Sequence, residues 1–308
     1  MLMNGVLVID KPAGLTSHDV VAQVRRILHV PRVGHTGTLD PFATGVLVVL
    51  LGRATRLAQF LSGVDKEYEA VIRLGFATET GDASGKRLNE GENFTKPGPW
   101  TREQIEQALE SLRGEIDQVP PMYSAKKQGG RKLYELARQG QEVERAPVRV
   151  HIYKFESISD LPKDNLDGTF DLQVRVVCSA GTYVRTLAED FGKHLHTGAH
   201  LAELRRTRAG DLLIDQASTL EQIKEAYADE ALGKLIHPPD QVLKRMPFLD
   251  LDNDSLKRIL NGLDIEIARP DWVDGERVRI RDAHQELIAI GVFNSTKRLL
   301  HPAVVLGS

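Results

Sequence analysis

The 308-residue sequence has a single cysteine, Cys178. One thiol excludes an intramolecular disulfide and a thiolate-rich zinc site, and it fits a reducing compartment such as the cytoplasm. Long apolar runs are also missing: none approaches the roughly 20 residues that a membrane helix needs. The opening MLMNGVLVIDK lacks a basic region and runs directly into a predicted strand, so it is not expected to be a signal peptide. Nor is there an excess of positive charge. Lys and Arg number 40 against 43 Asp and Glu, a net charge of −3. The chain is therefore no polycation, and any nucleic-acid role must lie in how charge is distributed rather than in its sum. No internal repeat is visible.

What is present is a hydrophobic content of 41% in a length that suggests about two domains. A chain of about 300 residues buries roughly 75% of its unfolded surface, so a real core is expected. Positive charge is concentrated locally. From Ser124 to Val150, seven basic residues (Lys126, Lys127, Arg131, Lys132, Arg138, Arg145, Arg149) face three acidic ones, a local balance of +4. Arg205, Arg206 and Arg208 form a second cluster. Gly129 and Gly130 make the first segment flexible, and basic side chains on a flexible loop suit phosphate contacts; a solvated charged helix is the plainer alternative.

Hydrophobic spacing predicts strands over Gly5–Lys11, Val46–Leu51, Lys66–Leu74, Val148–Phe155 and Phe170–Cys178. In the last, Phe170, Leu172, Val174, Val176 and Cys178 share one face. Helices are predicted after an N-cap at Ser17, over Arg53–Leu61, from a capping box at Thr101 and Gln104 to about Arg113, over Thr182–Leu195 and over Leu220–Ala228. Thr80–Pro99 reads as a loop, and Ser159–Gly168 as a hairpin tip or insertion. Strands and helices mix without a regular βαβ repeat, which argues for an α+β fold. From Arg245 the chain changes character, with a short helix (Asp254–Leu260) followed by β-like runs at Leu263–Ala268, Arg277–Arg281 and Leu287–Phe293. The predicted division is 1–244 and 245–308, the second a small β module.

The most informative stretch is GHTGTLDPFATGVL, Gly34 to Leu47. Gly34 and Gly37 can take φ > 0 or admit a close backbone. The apolar run that follows places Asp40 on a tight loop at the start of a buried strand. A carboxylate held this way is a candidate nucleophile; an Asp before Pro41 is equally an ordinary Asx-turn.

Five more stretches accompany it: KPAGLTSHDVV (Lys11–Val21), KEYEA (Lys66–Ala70), VPPMYSAKKQGGRKLYELARQG (Val119–Gly140), CSAGTYVRTLAEDFG (Cys178–Gly192) and GAHLAELRRTRAG (Gly198–Gly210). In this order, over the first two thirds of the chain, they resemble the motifs of tRNA pseudouridine synthases of the TruB type. The resemblance fades after about Lys244. It implies a mixed β-sheet flanked by helices, an RNA-gripping insertion at about 119–149, and a C-terminal β-rich domain of the small RNA-binding PUA type, for which a plain β-rich capping module is the alternative. The implied reaction is isomerisation of uridine to pseudouridine at position 55 in the T-loop of tRNA. No cofactor or metal is implied. The resemblance marks Asp40 as nucleophile, Arg185 as its partner and Tyr68 as the tyrosine near the target uracil, suited to the C5 proton transfer. Substrate contacts fall on His35, Tyr68, Asp82, Tyr183, Leu204 and Lys11, and RNA contacts on Lys126, Lys127, Arg131, Lys132, Arg205 and Arg206. A guanidinium beside Asp40 should lower the carboxyl pKa and aim it through a forked contact. The expected partner is the T-arm of tRNA, met by a cytoplasmic monomer with no obligate protein partner and no membrane.

Each of these residues has a blander reading. Tyr68 would pass as a packed strand aromatic, Leu204 as core, Asp82 as a turn residue, Lys11 as a strand-end lysine and Arg185 as a surface helix residue. His35 and Asp40, five residues apart, also match the spacing of some membrane acyltransferases, a reading that requires a membrane-facing apolar surface. His194, His196 and His200 look at first like metal ligands, but the first two point apart on a helix and no carboxylate accompanies them. Cys178 is expected to be packed core. A tRNA-folding chaperone with a vestigial site is the alternative from another functional class.

Overall fold

The computed structural model describes residues 3–88, 98–124, 126–268 and 271–307. Its main sheet runs in the order Gly5–Lys11, Thr44–Leu51, Ala199–Ala209, Lys66–Leu74, Phe170–Cys178, Val148–Ser157, Gly114–Gln118, with shorter strands attached at its sides. Alternating apolar residues explain most of these strands. Leu172, Val174, Val176 and Cys178 are all buried on one face, while Gln173 on the other is exposed.

Almost every pairing in the sheet is antiparallel. The exception is a short parallel seam where Ala199–Ala209 meets Thr44–Leu51, at Arg205 with Thr44 and Arg206 with Gly45. Gly45 makes the seam possible. Its φ is +98°, and a Cβ there would stand 2.2 Å from the Arg206 carbonyl oxygen. On one side of the seam, helices Ser17–Leu28 and Leu220–Ala228 pack on Leu7, Ile9, Leu47 and Val49. On the other, helices Arg102–Glu110 and Val184–His194 pack on Ile72, Leu74, Val174 and Val176. The seam joins these two cores.

A second sheet, in the order Phe248–Asp250, Arg277–Arg281, Leu287–Asn294, Leu299–Val305, Ile265–Glu266, is backed by the helix Asn253–Leu260. Its Ile290 joins Leu306 in a core with Val6, Val48 and Leu50 of the main sheet. The α+β architecture with a small C-terminal β unit is the one expected from the sequence.

Local expectations differ from the structure in several places. The first helix is capped by Thr16, in a capping box with Asp19, so Ser17 is freed for another contact. The segment after Leu51 is a 3-10 turn, Gly52–Leu57, before one α-turn at Ala58–Leu61. The strands Val33–Thr36, Gly114–Gln118, Ala199–Ala209 and Leu299–Val305 lack a periodic signal strong enough to predict them. Part of the predicted loop 80–99, residues 89–97, lies outside the described residues.

Candidate active site

Asp40 sits on the loop between strands Val33–Thr36 and Thr44–Leu51, beside the seam. Groups from distant segments fix that loop. Lys11 Nζ donates to the Pro41 carbonyl at 3.2 Å, and the Gly14 amide donates to the same oxygen at 2.8 Å. Ser17 Oγ accepts from the Leu39 amide at 2.9 Å and donates to the Leu39 carbonyl at 3.1 Å. Arg206 Nη2 donates to the Gly37 carbonyl at 2.8 Å. The carbonyls and amide on either side of Asp40 are thus tied down, and its carboxylate is left to point outward.

The carboxylate meets Arg185 in a forked contact, Nε to Oδ2 at 2.9 Å and Nη2 to Oδ1 at 3.2 Å. Arg185 is itself buried on the helix Val184–His194, with further donations to the carbonyls of Thr80 (2.8 Å) and Tyr123 (2.7 Å). Asp82 approaches Arg185 from behind at 3.6 Å and is held by Thr80 and Ser84. The Arg185 side chain is 5% exposed and Asp40 34%, so the acid alone of the pair presents itself to solvent. Burial pushes the Asp40 carboxyl above its usual range, Arg185 pulls it down, and the Asp82 charge adds to the rise. The expected lowering by Arg185 is therefore one contribution, outweighed by burial. The forked geometry nevertheless matches the ionised carboxylate.

Asp40 and Arg185 line a cavity of about 270 Å³ together with Tyr68, Tyr183, Leu204, Lys66 and Arg206. Drug-sized ligands occupy sites of roughly 300 Å³ upward, so the space suits a single base. Tyr68 and Leu204 are 8% and 7% exposed, on adjacent central strands. Burial pushes the Tyr68 phenol up, so it stays protonated at neutral pH. Tyr183 caps the Arg185 helix, and buried Gln118 brackets its backbone, accepting from the Tyr183 amide at 2.8 Å and donating to its carbonyl at 3.1 Å. Ser17 and Lys66 lie inside two of the quoted motifs but are not among the site residues those motifs imply, and Gln118 lies outside every motif.

Two assignments need correction. Arg206 is not a surface RNA contact: it is 1% exposed, and its Nε and Nη2 donate to the Val46 and Gly37 carbonyls. Lys11 is not a substrate contact: it is fully buried, with its ammonium on the carbonyls of Pro12, Leu15 and Pro41. Both position the Asp40 loop. Arg205, on the other face of the same strand, is 41% exposed and forks onto Asp10.

His35 lies outside the cavity lining, edge-on to the His18 ring with centroids 5.2 Å apart. Burial lowers its pKa to about 4, so the ring is neutral. Lys126, Lys127 and Arg131 are exposed on a tight hairpin, with Lys132 half-buried and Leu133–Ala137 forming a short helix behind them. The insertion touches the site through the Tyr123 carbonyl on Arg185 and through Tyr123 Oη, which donates to Glu79 at 3.0 Å. Cys178 is packed core, and burial raises its thiol to about 11. His200 is buried, donating Nδ1 to the Phe76 carbonyl at 3.0 Å. Among the described residues no cluster of three His, Cys, Asp or Glu could hold a metal, and no helix is long and apolar enough to cross a membrane.

Comparison with known proteins bears on this arrangement. Residues 25–184 match the TruB family pseudouridylate synthase N-terminal domain, and 185–244 match the tRNA pseudouridylate synthase B C-terminal domain. The tRNA pseudouridine synthase B of Ralstonia pickettii (strain 12J) is 46% identical over 91% of this chain and 86% of its own. That of Solibacter usitatus (strain Ellin6076) is 43% identical over 99% and 100%. Among solved structures, a chain of an H/ACA ribonucleoprotein bound to a substrate RNA containing 2′-deoxyuridine superposes with a TM-score of 0.74 at 27% identity, covering 99% of this chain and 85% of that one. A chain of a Cbf5–Nop10–Gar1 complex gives 0.74 at 28%, covering 98% and 84%. The chain belongs to the TruB family of pseudouridylate synthases.

Proposed function

We propose that this protein converts uridine to pseudouridine at position 55 in the T-loop of tRNA, with Asp40 as nucleophile. The bond between C1′ and N1 breaks, the base turns within the cavity, and C5 bonds to C1′. C5 then loses its proton and N1 gains one. The reaction has no net redox change and balances without a cofactor or metal. One observation carries this reading: the forked Asp40–Arg185 pair stands at the edge of a base-sized cavity.

In this reading Arg185 aims the carboxylate, Asp82 shares the guanidinium, and Tyr183 and Leu204 wall the base. Tyr68 stacks on the uracil, an interaction worth about 1–3 kcal/mol. As a neutral phenol it passes the C5 proton only in exchange for its own. His35 meets the RNA where the target nucleotide leaves the stack, an extrusion that costs a few kcal/mol. Lys126, Lys127, Arg131, Lys132 and Arg205 contact phosphates. The catalytic unit is 1–244 and the PUA-type RNA-binding unit 245–308. The protein acts in the cytoplasm as a monomer on the T-arm, without an obligate protein partner. A tRNA-folding chaperone with a vestigial site would not need a carboxylate kept aimed by so many tethered groups.

Tritium release from C5-labelled uridine in a tRNA transcript tests the reading. The wild type releases tritium. Asp40→Asn releases none yet binds the transcript with unchanged affinity, because phosphates supply most of the affinity. Normal turnover by Asp40→Asn would remove Asp40 from the mechanism.

A further inference from the structure

Two buried cations line the cavity with no carboxylate within ion-pairing distance among the described residues. Lys66 is 7% exposed, and its Nζ donates to the backbone carbonyls of Ser62 at 2.8 Å and Val64 at 2.6 Å. Arg206 likewise donates to the Val46 and Gly37 carbonyls. Among the described residues neither forms an ion pair. The two lie side by side, since a Cβ on Gly37 would stand 3.4 Å from Arg206 Nη1 and 3.6 Å from Lys66 Cε. Arg185, by contrast, has both Asp40 and Asp82. The cavity is therefore polarised, with an ion pair at Asp40–Arg185 and positive charge that no ion pair meets around Lys66, Tyr68 and Arg206.

Buried charges without counter-ions are costly and mark functional sites. Burial lowers the Lys66 pKa to about 8, with the adjacent Arg206 charge contributing to that fall, so the ammonium still predominates at neutral pH. The proposed reaction creates an anion in this space. When the bond between C1′ and N1 breaks, its electron pair leaves with the uracil, spreading negative charge over N1, O2 and O4.

We infer that Lys66, with Arg206 beside it, contacts the detached uracil and stabilises its negative charge while Asp40 acts on the sugar. This rests on the proposed uridine isomerisation. It makes Lys66 a catalytic residue on the base side, with a preorganised cation where charge develops. A purely structural lysine would serve only to tie down the Ser62 and Val64 carbonyls.

The test uses the full chain and a T-arm stem–loop RNA carrying uridine or 5-fluorouridine at the target position. Single-turnover loss of the starting nucleoside is followed. Fluorine stabilises the departing anion by itself, so the base depends less on the cation. Removing a single charge-stabilising donor typically slows an enzyme about 100- to 1000-fold. Lys66→Met and Lys66→Gln should slow uridine by about 100-fold with unchanged RNA affinity, and should slow 5-fluorouridine by roughly tenfold less. Lys66→Arg, which keeps the charge, should recover most of the rate. Equal slowing on both bases would make Lys66 structural and overturn the inference. So would a loss confined to RNA affinity with a shallower salt dependence, which marks a phosphate contact. Should the wild type leave the uridine unchanged, the proposed function fails instead.

Discussion

The Asp40 loop and the basic insertion are built on opposite plans. The loop spans only a few residues, yet Lys11, Gly14, Ser17 and Arg206 reach it from distant parts of the chain, each through a hydrogen bond to its backbone. Lys11, Ser17 and Arg206 have essentially no exposure. The insertion shows the reverse. Its two-residue strands carry exposed Lys127 and Arg131, exposed Lys126 precedes them, and Gly129 and Gly130 both adopt positive φ at its tip. One region fixes the position of a carboxylate; the other leaves charge free to follow a flexible polyanion. Precision comes from buried polar side chains on backbone carbonyls, and in the proposed function affinity comes from solvated charge.

The contrast is sharpest within the strand Ala199–Ala209, where neighbouring arginines belong to the two plans. Arg206→Ala removes the donors to two buried carbonyls, each costing about 1–3 kcal/mol when left unmet. A loss of about 2–5 kcal/mol in urea unfolding is expected. Arg205→Ala breaks a partly exposed ion pair with Asp10 and should cost less than about 1 kcal/mol. Equal losses would erase the distinction between the two faces.

Ser17→Ala probes the loop more gently. It deletes both hydrogen bonds to Leu39, the residue before Asp40, and leaves the Thr16 cap intact. Small misplacements of a reacting group can cost about 100-fold, so a single-turnover rate lowered about 10- to 100-fold is expected with RNA affinity unchanged. A change in affinity at constant rate would place Ser17 with the insertion instead. The complementary change is alanine at Lys126, Lys127, Arg131 and Lys132 together. Binding should weaken about tenfold at moderate salt and the salt dependence should flatten, by roughly 0.7–0.9 in log–log slope for each phosphate no longer neutralised. The turnover rate at saturating RNA and the unfolding midpoint should not move.

The same division explains what could be read in advance. Gly5–Lys11, Lys66–Leu74, Phe170–Cys178, Leu220–Ala228 and Arg277–Arg281 have the bounds expected from their spacing, because each shows a period of apolar residues or a cap. The central strand Ala199–Ala209 does not show such a period. One of its inward positions is Arg206, so a charge stands where the pattern calls for an aliphatic residue. The contacts of Ser17, Gln118 and Lys66 were invisible for a related reason, although Ser17 and Lys66 stand inside quoted motifs. Their partners are backbone atoms brought near by the fold, and backbone leaves no trace in a residue code. Asp40, Tyr68, Tyr183, Arg185 and Leu204 were legible through the motifs, and the fold brings all five to one cavity.

The smallest expected effect concerns proton affinity within the loop plan itself. In the proposed reaction Asp40 acts ionised, so activity should fall as pH drops through its pKa. Burial places that pKa above the ordinary aspartate value, and the charge on Asp82 contributes to the rise. The acid limb of kcat/KM, which reports the free enzyme, should therefore lie above the pH at which an exposed aspartate titrates. Asp82→Asn keeps the side chain's size and its contacts to Thr80 and Ser84 while removing the charge. It also leaves Arg185 with one carboxylate instead of two. Both effects favour ionised Asp40, so the limb should move to lower pH. A limb that stayed in place would mean that Arg185 screens Asp40 fully from Asp82. A limb that moved up would mean that Asp82 chiefly holds Arg185 in position, and that the precision of the loop extends one residue further from the cavity than the hydrogen bonds around Asp40 indicate.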